Sequence, residues 1–475
     1  MNRTVNWRTR TAVAAVAALS LGVLAACSSS SSNSSSSAAS ATSSAAASAP
    51  ASSSSASSSS SASSGSGSVA LSSCGTNPGV KATGTPINLG AIDTKEPGTD
   101  FSDIENMAGA YFACVNANGG INGHPIDYFP LTEQTNPSQI ASLAKQLVTS
   151  DHVVGIVGSS SIIECSVDAA YWKSVGMQVL GAGIDPECYS TPNTASVNMG
   201  PRYSSDGAVS YVISQGAKKI AFDQSNVPGT TYIVGGPDAI SKAAGVPEQD
   251  FTDNVPITNA SAIATKLVTA AGPSGAVVLN FTPPEALLIL QAAQKLNLED
   301  RVKYWACSTP CNTDFLAQSL GPKWNDKIFV NAELVPLDSN NSPTAQLFNE
   351  ILKTYGSKVT GGVGSFSQMG FTDAEIAVHA LESITSGSYT IATVSAALKA
   401  VSDYNTGMLC QGYTYGNYAE HIPNNMDYTV TADNGKMVLA PQGGGCTLIS
   451  NNDPQIAAYR AAAGTAAAAP NAFVS

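Results

Sequence analysis

The chain has 475 residues, 43% of them hydrophobic, with 41 glycines and a formal net charge of −12. That is ample apolar material for two lobes with separate cores, and so acidic a surface argues against nucleic-acid or anionic-membrane binding through charge. The sequence also holds no Gly-x-Ser-x-Gly elbow, no His-Glu-x-x-His and no Gly-x-x-x-x-Gly-Lys loop, which argues against a hydrolase, a zinc protease or a nucleotide hydrolase.

At the amino end, Arg3, Arg8 and Arg10 precede an apolar run from Ala12 to Ala26 that is short for a membrane span. The run closes on Leu24-Ala25-Ala26-Cys27, which resembles a bacterial lipoprotein signal. Residues 1–26 are then the leader. That resemblance implies lipid on Cys27, anchoring the mature protein outside the cytoplasmic membrane. Residues 27–68 are almost wholly serine and alanine and cannot bury enough apolar surface to fold. They read as a tether of roughly 35 Å as a flexible coil.

Of nine cysteines, the eight other than Cys27 suggest four disulfides in an exported chain. Spacing leaves the connectivity open; the short-range pairing is Cys74 with Cys114, Cys165 with Cys188, Cys307 with Cys311 and Cys410 with Cys446. Cys307-Ser-Thr-Pro-Cys311 has the form of half a metal site, but none of the four histidines is near it in sequence. Neither metal nor cofactor is expected.

Ile87 to Ile92 reads as the first strand. Ile104, Met107, Ala108, Tyr111, Phe112 and Val115 then mark an amphipathic helix, ended by Asn118-Gly119-Gly120-Ile121-Asn122-Gly123. A strand from Ile126 to Leu131 follows, and Asn136-Pro137 caps a helix carrying Ile140, Leu143 and Leu147. Val153 to Val157 is a strand, Ile163, Val167, Ala170 and Tyr171 recur at helical spacing, and Met177 to Ala182 is a strand again. Alternation continues with strands at 219–223, 276–281, 302–307 and 327–334 and helices near 230–244, 260–271, 284–296, 344–355, 368–385 and 394–401. Strands separated by such helices imply parallel sheets covered on both faces. After Cys410, aromatic and polar residues alternate around Asp433-Asn434-Gly435-Lys436, a hairpin signal. The alanine-rich tail after Ala457 has no clear pattern. Glu375 and His379 share a helix face and read as an ordinary surface or interface pair.

The ordered set of a helix ended by Asn118-Gly-Gly-Ile-Asn-Gly123, the Gly158-Ser-Ser loop, Phe371-Thr-Asp-Ala-Glu375 and Asp433-Asn-Gly-Lys436 resembles the branched-chain amino-acid (Leu/Ile/Val-like) type of ABC-transporter substrate-binding proteins. The resemblance implies an α/β fold of type I periplasmic-binding form: two doubly wound parallel-sheet lobes joined by three crossovers, closing on a ligand. Lobe 1 would hold residues 85–201 and 331–403, and lobe 2 residues 202–330 and 404–475. It also implies a monomer that hands a small solute to an ABC permease and its ATPase. A sensory receptor of the same fold, reporting to a membrane signalling partner, is the alternative.

In a doubly wound sheet, loops at the carboxyl ends of strands face the crevice. This singles out Ser159, Ser160, Ser161 and Ile162, then Gly183, Ile184 and Asp185, on lobe 1. On lobe 2 it singles out Asn226, Val227, Phe281, Thr282, Ser308 and Thr309. The serines suit an anion or a hydroxylated ligand at a helix amino end, or else cap that helix. Asp185 before Pro186 serves either the cleft or a turn. By the resemblance, the ligand carboxylate belongs at Ile162, Gly183 and Asp185, and the acid facing its ammonium belongs near Ser308 or Thr309. An aspartate at the first place and no acid at the second argue against a free amino acid. The expected ligand is a polar or partly aromatic solute held by Ser160, Ser161 and Asp185, with Phe281 as an apolar wall.

Overall fold

A computed structural model describes residues 74–339 and 342–464. The leader, Cys27 and the tether lie outside the described residues.

The first sheet is built from β1 (Ile87–Glu96), β2 (Thr99–Asp100), β3 (Ile126–Glu133), β4 (Gly155–Ser159), β5 (Val179–Gly181) and β6 (Thr194–Ser196). β3, β1, β4, β5 and β6 run parallel in that spatial order, and β2 folds back on β1. Between them lie α1 (Asp103–Ala117), α2 (Pro137–Thr149) and α3 (Glu164–Val175). α1 buries Ile104, Met107, Ala108, Tyr111, Phe112 and Val115, the stripe its spacing predicts. α2 starts where its cap predicts, with the Asn136 side chain accepting from the Ser138 and Gln139 amides.

The second sheet follows α4 (Gly200–Ser214). It comprises β7 (Ile220–Ser225), β8 (Glu248–Asp253), β9 (Ala276–Asn280), β10 (Tyr304–Cys307) and β11 (Ile328–Ala332), all parallel, with α5 (Gly235–Ala243), α6 (Ala260–Ala271), α7 (Pro283–Lys295) and α8 (Asp314–Leu320) in the connections. β9, Ala-Val-Val-Leu-Asn, is buried throughout, as a strand covered on both faces requires. The chain then returns to the first lobe with α9 (Pro343–Tyr355), α10 (Ser365–Glu382) and α11 (Ile391–Ala400), which pack on α1, β4 and β5. Finally β12 (Met426–Asp433), β13 (Lys436–Leu439) and β14 (Thr447–Leu448) extend the second sheet antiparallel, and α12 (Pro454–Ala463) ends the described chain. The hairpin turns through Asn434 and Gly435, both at positive φ.

Four features depart from the sequence reading. α4 has no apolar stripe because it is buried nearly all round, packing on β9 to β12 and α5. Its small and polar residues are what such close packing needs: a Cβ at Gly207 would run into Asn331 Nδ2 and Asp427 Oδ2. β8 was masked by its polar, half-exposed edge position. Residues 404–415, expected in lobe 2, lie along lobe 1, where Tyr413 donates to Ala195 O at 2.9 Å and Tyr415 to Val179 O at 2.9 Å. The tail forms α12, whose Ile456 and Tyr459 pack in one cluster with Tyr189 and Tyr203, while Arg202 pairs with Asp453 just before it at 2.6 Å, both buried.

The eight cysteines sit in four pairs with Cα separations of 5.1 to 6.1 Å, joining Cys74 to Cys114, Cys165 to Cys188, Cys307 to Cys311 and Cys410 to Cys446. The three crossovers meet at Asn424, whose amide donates to Val197 O on the first at 2.9 Å and to Glu333 O on the second at 2.8 Å. Glu375 and His379 do not pair with each other. Both meet Tyr404, which donates to Glu375 at 3.5 Å and stacks on the His379 ring at 3.9 Å.

Candidate functional site

A cavity of about 730 Å³, part of it open to solvent, lies between the lobes where the carboxyl ends of the strands meet. Two hydrogen bonds span it: Thr282 Oγ1 to Gly98 O at 3.1 Å and Tyr232 Oη to Ile184 O at 2.6 Å. The lobes therefore touch across the cleft.

Of the residues singled out from sequence, Ile162 and Ile184 line the cavity from lobe 1, and Val227, Phe281, Thr282 and Thr309 line it from lobe 2. Ile162 follows β4 and Ile184 follows β5, so parallel neighbours place both side chains at one sheet end. The Thr309 hydroxyl is already donated to Asn331 at 2.7 Å, so Thr309 offers the cavity mainly its methyl and backbone.

The others are not among the lining residues, and the reason is the same in nearly every case: a partner elsewhere in the chain has taken their polar group. Ser159 Oγ donates to the buried Glu164 and accepts from the Ile92 amide. Ser160 is the exception: it is buried with its amide on Ile92 O, while its hydroxyl has no hydrogen-bond partner among the described residues. Ser161 donates to Glu133 at 2.9 Å. Gly183 gives its amide to Ser196 and its carbonyl to Asn198 and Tyr189. Ser308 donates to Asn280 at 2.7 Å, so it positions a lining side chain without lining the cavity itself. Asn226 is exposed and donates to Asn254.

Asp185 corrects the sequence reading most sharply. It is fully buried and caps the turn it starts, accepting from the Glu187 amide at 2.9 Å and, with its other oxygen, from the Ser166 amide at 3.0 Å. Burial raises its carboxyl to about 6. It also lies close to Cys165 and Cys188, but those sulfurs are joined to each other, so no thiolate is left for a metal.

Residues that the sequence reading missed complete the lining. Phe101 and Phe366 stand edge to face at 5.3 Å on lobe 1, with Ile104 and Met369 beside them. Asn198 and Glu333 come from the first and second crossovers. Glu333 is 1% exposed and accepts from the Met199 amide at 2.6 Å. Burial pushes its carboxyl up to about 8, the Asp427 carboxylate adds to the rise, and the amides of Met199 and Gly200 oppose it. A lone acid ending an apolar strand, Val-Asn-Ala-Glu-Leu-Val, was the signal that could have found it.

Comparison by sequence with curated proteins finds no match. Many solved structures share the fold. A fatty acid ABC transporter substrate-binding protein from Thermomonospora curvata is 16% identical with a TM-score of 0.63, covering 80% of this chain and 95% of its own. A solute-binding protein from R. palustris in complex with 4-hydroxybenzoate is 17% identical with a TM-score of 0.61, covering 74% and 95%. A branched chain amino acid ABC transporter protein from Thermus thermophilus with bound valine is 15% identical with a TM-score of 0.64, covering 76% and 96%. The sequence profile of the periplasmic binding protein family matches residues 86–436. That match runs from the first strand of one sheet to the last hairpin of the other and takes in all three crossovers, so the chain belongs to the periplasmic binding protein family, extracytoplasmic proteins that bind solutes and do no chemistry on them.

Proposed function

We propose that the protein, anchored by lipid on Cys27 to the outer face of the cell membrane, captures a small solute with a largely apolar body between its lobes and delivers it to an ABC permease. The observation that carries this reading is the cavity itself, which both lobes line with apolar side chains and span with direct hydrogen bonds. Phe101, Ile162 and Phe366 face it from one side and Val227, Val255 and Phe281 from the other. Burying about 200 Å² of apolar solute surface contributes roughly 5 kcal/mol, before the cost of association.

The structures named above were solved or described with a fatty acid, a hydroxybenzoate or valine as the solute. One fold thus serves chemically different ligands, and the lining side chains decide among them. A closed, loaded form is the state a permease would recognise.

Val227→Trp puts an indole into the cavity and should abolish solute binding by calorimetry while the far-ultraviolet circular dichroism stays unchanged. Retained affinity would place the site elsewhere. Delivery is tested by uptake into vesicles carrying the partner permease: transport should require the loaded protein, and uptake indifferent to it would favour the sensory role.

A further inference from the structure

The charge inside the cavity has one sign. Among the described residues that line it, Glu333 is the one ionisable side chain, and none is Lys, Arg or His. Three backbone donors at the lobe 1 strand ends, where an anionic group would be bound, are already engaged. The Ile162 amide donates to Thr94 Oγ1 at 2.9 Å, the Gly183 amide to Ser196 Oγ at 3.1 Å and the Ser166 amide to Asp185 at 3.0 Å. The amino end of α3 therefore holds a carboxylate of this chain. A solute carboxylate placed there would meet Asp185, and like charges in a dry site repel strongly.

The walls favour the opposite charge. Phe101, Phe281 and Phe366 present three phenyl rings to one space, and a ring face attracts a cation that has lost its water. Buried acids are otherwise kept neutral or paired, so Glu333 needs either a proton or a cation.

We propose that the solute is an apolar organic cation, an amine or ammonium without a carboxylate, its charge paired with Glu333 and its body among Phe101, Phe281 and Phe366. This rests on the reading that the cavity is the solute site. Asp427 is the titratable group whose field acts on Glu333, and Glu333 in turn raises Tyr189; neither Asp427 nor Tyr189 supplies a positive charge. With its carboxyl raised to about 8, Glu333 is mostly protonated in the empty protein near neutral pH and gives up that proton when a cation arrives. Affinity for an amine should then rise as pH rises towards 8, and a neutral isostere should show no such dependence.

Calorimetry on the full-length protein at about pH 7 can decide this with phenethylamine, phenethyl alcohol, hydrocinnamate, phenylalanine and valine as probes, in two buffers of different ionisation heat. Phenethylamine should bind at least about tenfold tighter than the alcohol and the three carboxylates, with release of a proton. Glu333→Gln should reduce its affinity to that of the alcohol. If that variant does not fold, proton release by the unmodified protein is the deciding readout. Tighter binding of any carboxylate, silence of the amine, or amine binding without proton release would each overturn the proposal. Val227→Trp separates this failure from failure of the site: if it blocks binding while a carboxylate prevails, the cation assignment alone falls, and if solute still binds, the cavity is not the site.

Discussion

Asp185 accepts the backbone amide of Ser166 at 3.0 Å, so a side chain placed at the mouth by its position in sequence is turned inward to hold the amino end of α3. The same carboxylate caps its own turn through the Glu187 amide. Two donors that would otherwise be orphaned in a buried place are satisfied by one residue.

Asp185→Ala should therefore act on stability and spare the solute. Losing the cap and leaving two amides without their acceptor should cost about 1 to 2 kcal/mol, seen as a lower denaturant midpoint with an unchanged slope. Solute affinity should change by less than about threefold. A tenfold loss of affinity at undiminished stability would return Asp185 to the site.

The buried acids make a pH prediction with a definite sign. Burial raises Glu164, Asp223 and Glu333 to about 8, far above their unfolded values near 4. Between those limits the folded state binds more protons than the unfolded one, so their contribution is fully present below about pH 4 and is lost as pH rises through 8. The melting temperature by scanning calorimetry should fall from about pH 5.5 to about pH 8.5 and then level off as far as these groups decide it. A steady rise over that interval would contradict the assignment.

Among the disulfides, the cost of opening should follow the length of chain each one closes. Cys74 and Cys114 are 40 residues apart and Cys307 and Cys311 only 4. The chain-entropy argument gives about 4 kcal/mol for the first and about 2 kcal/mol for the second. Double serine variants compared by urea unfolding should keep that order. The second pair should matter more for binding, since it encloses Thr309 and Pro310, which line the cavity.

Gly207→Ala probes the packing of α4. The new methyl would collide with the Asn331 and Asp427 side chains, which are hydrogen-bonded to each other beneath the helix. An overpacking cost of about 2 kcal/mol is expected, against the small gain alanine brings to an exposed helix position. A variant as stable as the parent would mean that α4 sits more loosely on β11 and β12 than described.

Cys27→Ser tests the anchor, whose basis is the Leu24-Ala25-Ala26-Cys27 sequence. The variant should leave the membrane fraction and appear in the soluble one. Retention on membranes through a carbonate wash would rule out lipid at this residue.

Local pattern was enough wherever the cause was local. The α1 stripe, the Asn136 cap, the Asn434-Gly435 hairpin and the buried β9 run were legible because each rests on the period or conformation of adjacent residues. So was the approximate height of the cavity, since strand ends in a parallel sheet share one edge, and Ile162, Ile184, Val227 and Phe281 do line it. What the sequence by itself could not determine is which way polar groups near that edge turn. Ser161 reaches Glu133, the Ile162 amide reaches Thr94 and Ser308 reaches Asn280, each across at least 28 positions of chain, and such competition between distant partners exists only once the strands are in register. Glu333, Phe101 and Phe366 were missed for the same reason: a crossover, a loop and a helix start become one wall only when the lobes meet. α4 is the extreme case, a helix with no stripe to read because the tertiary structure surrounds it, and only that enclosure makes its glycine and serines the fitting residues.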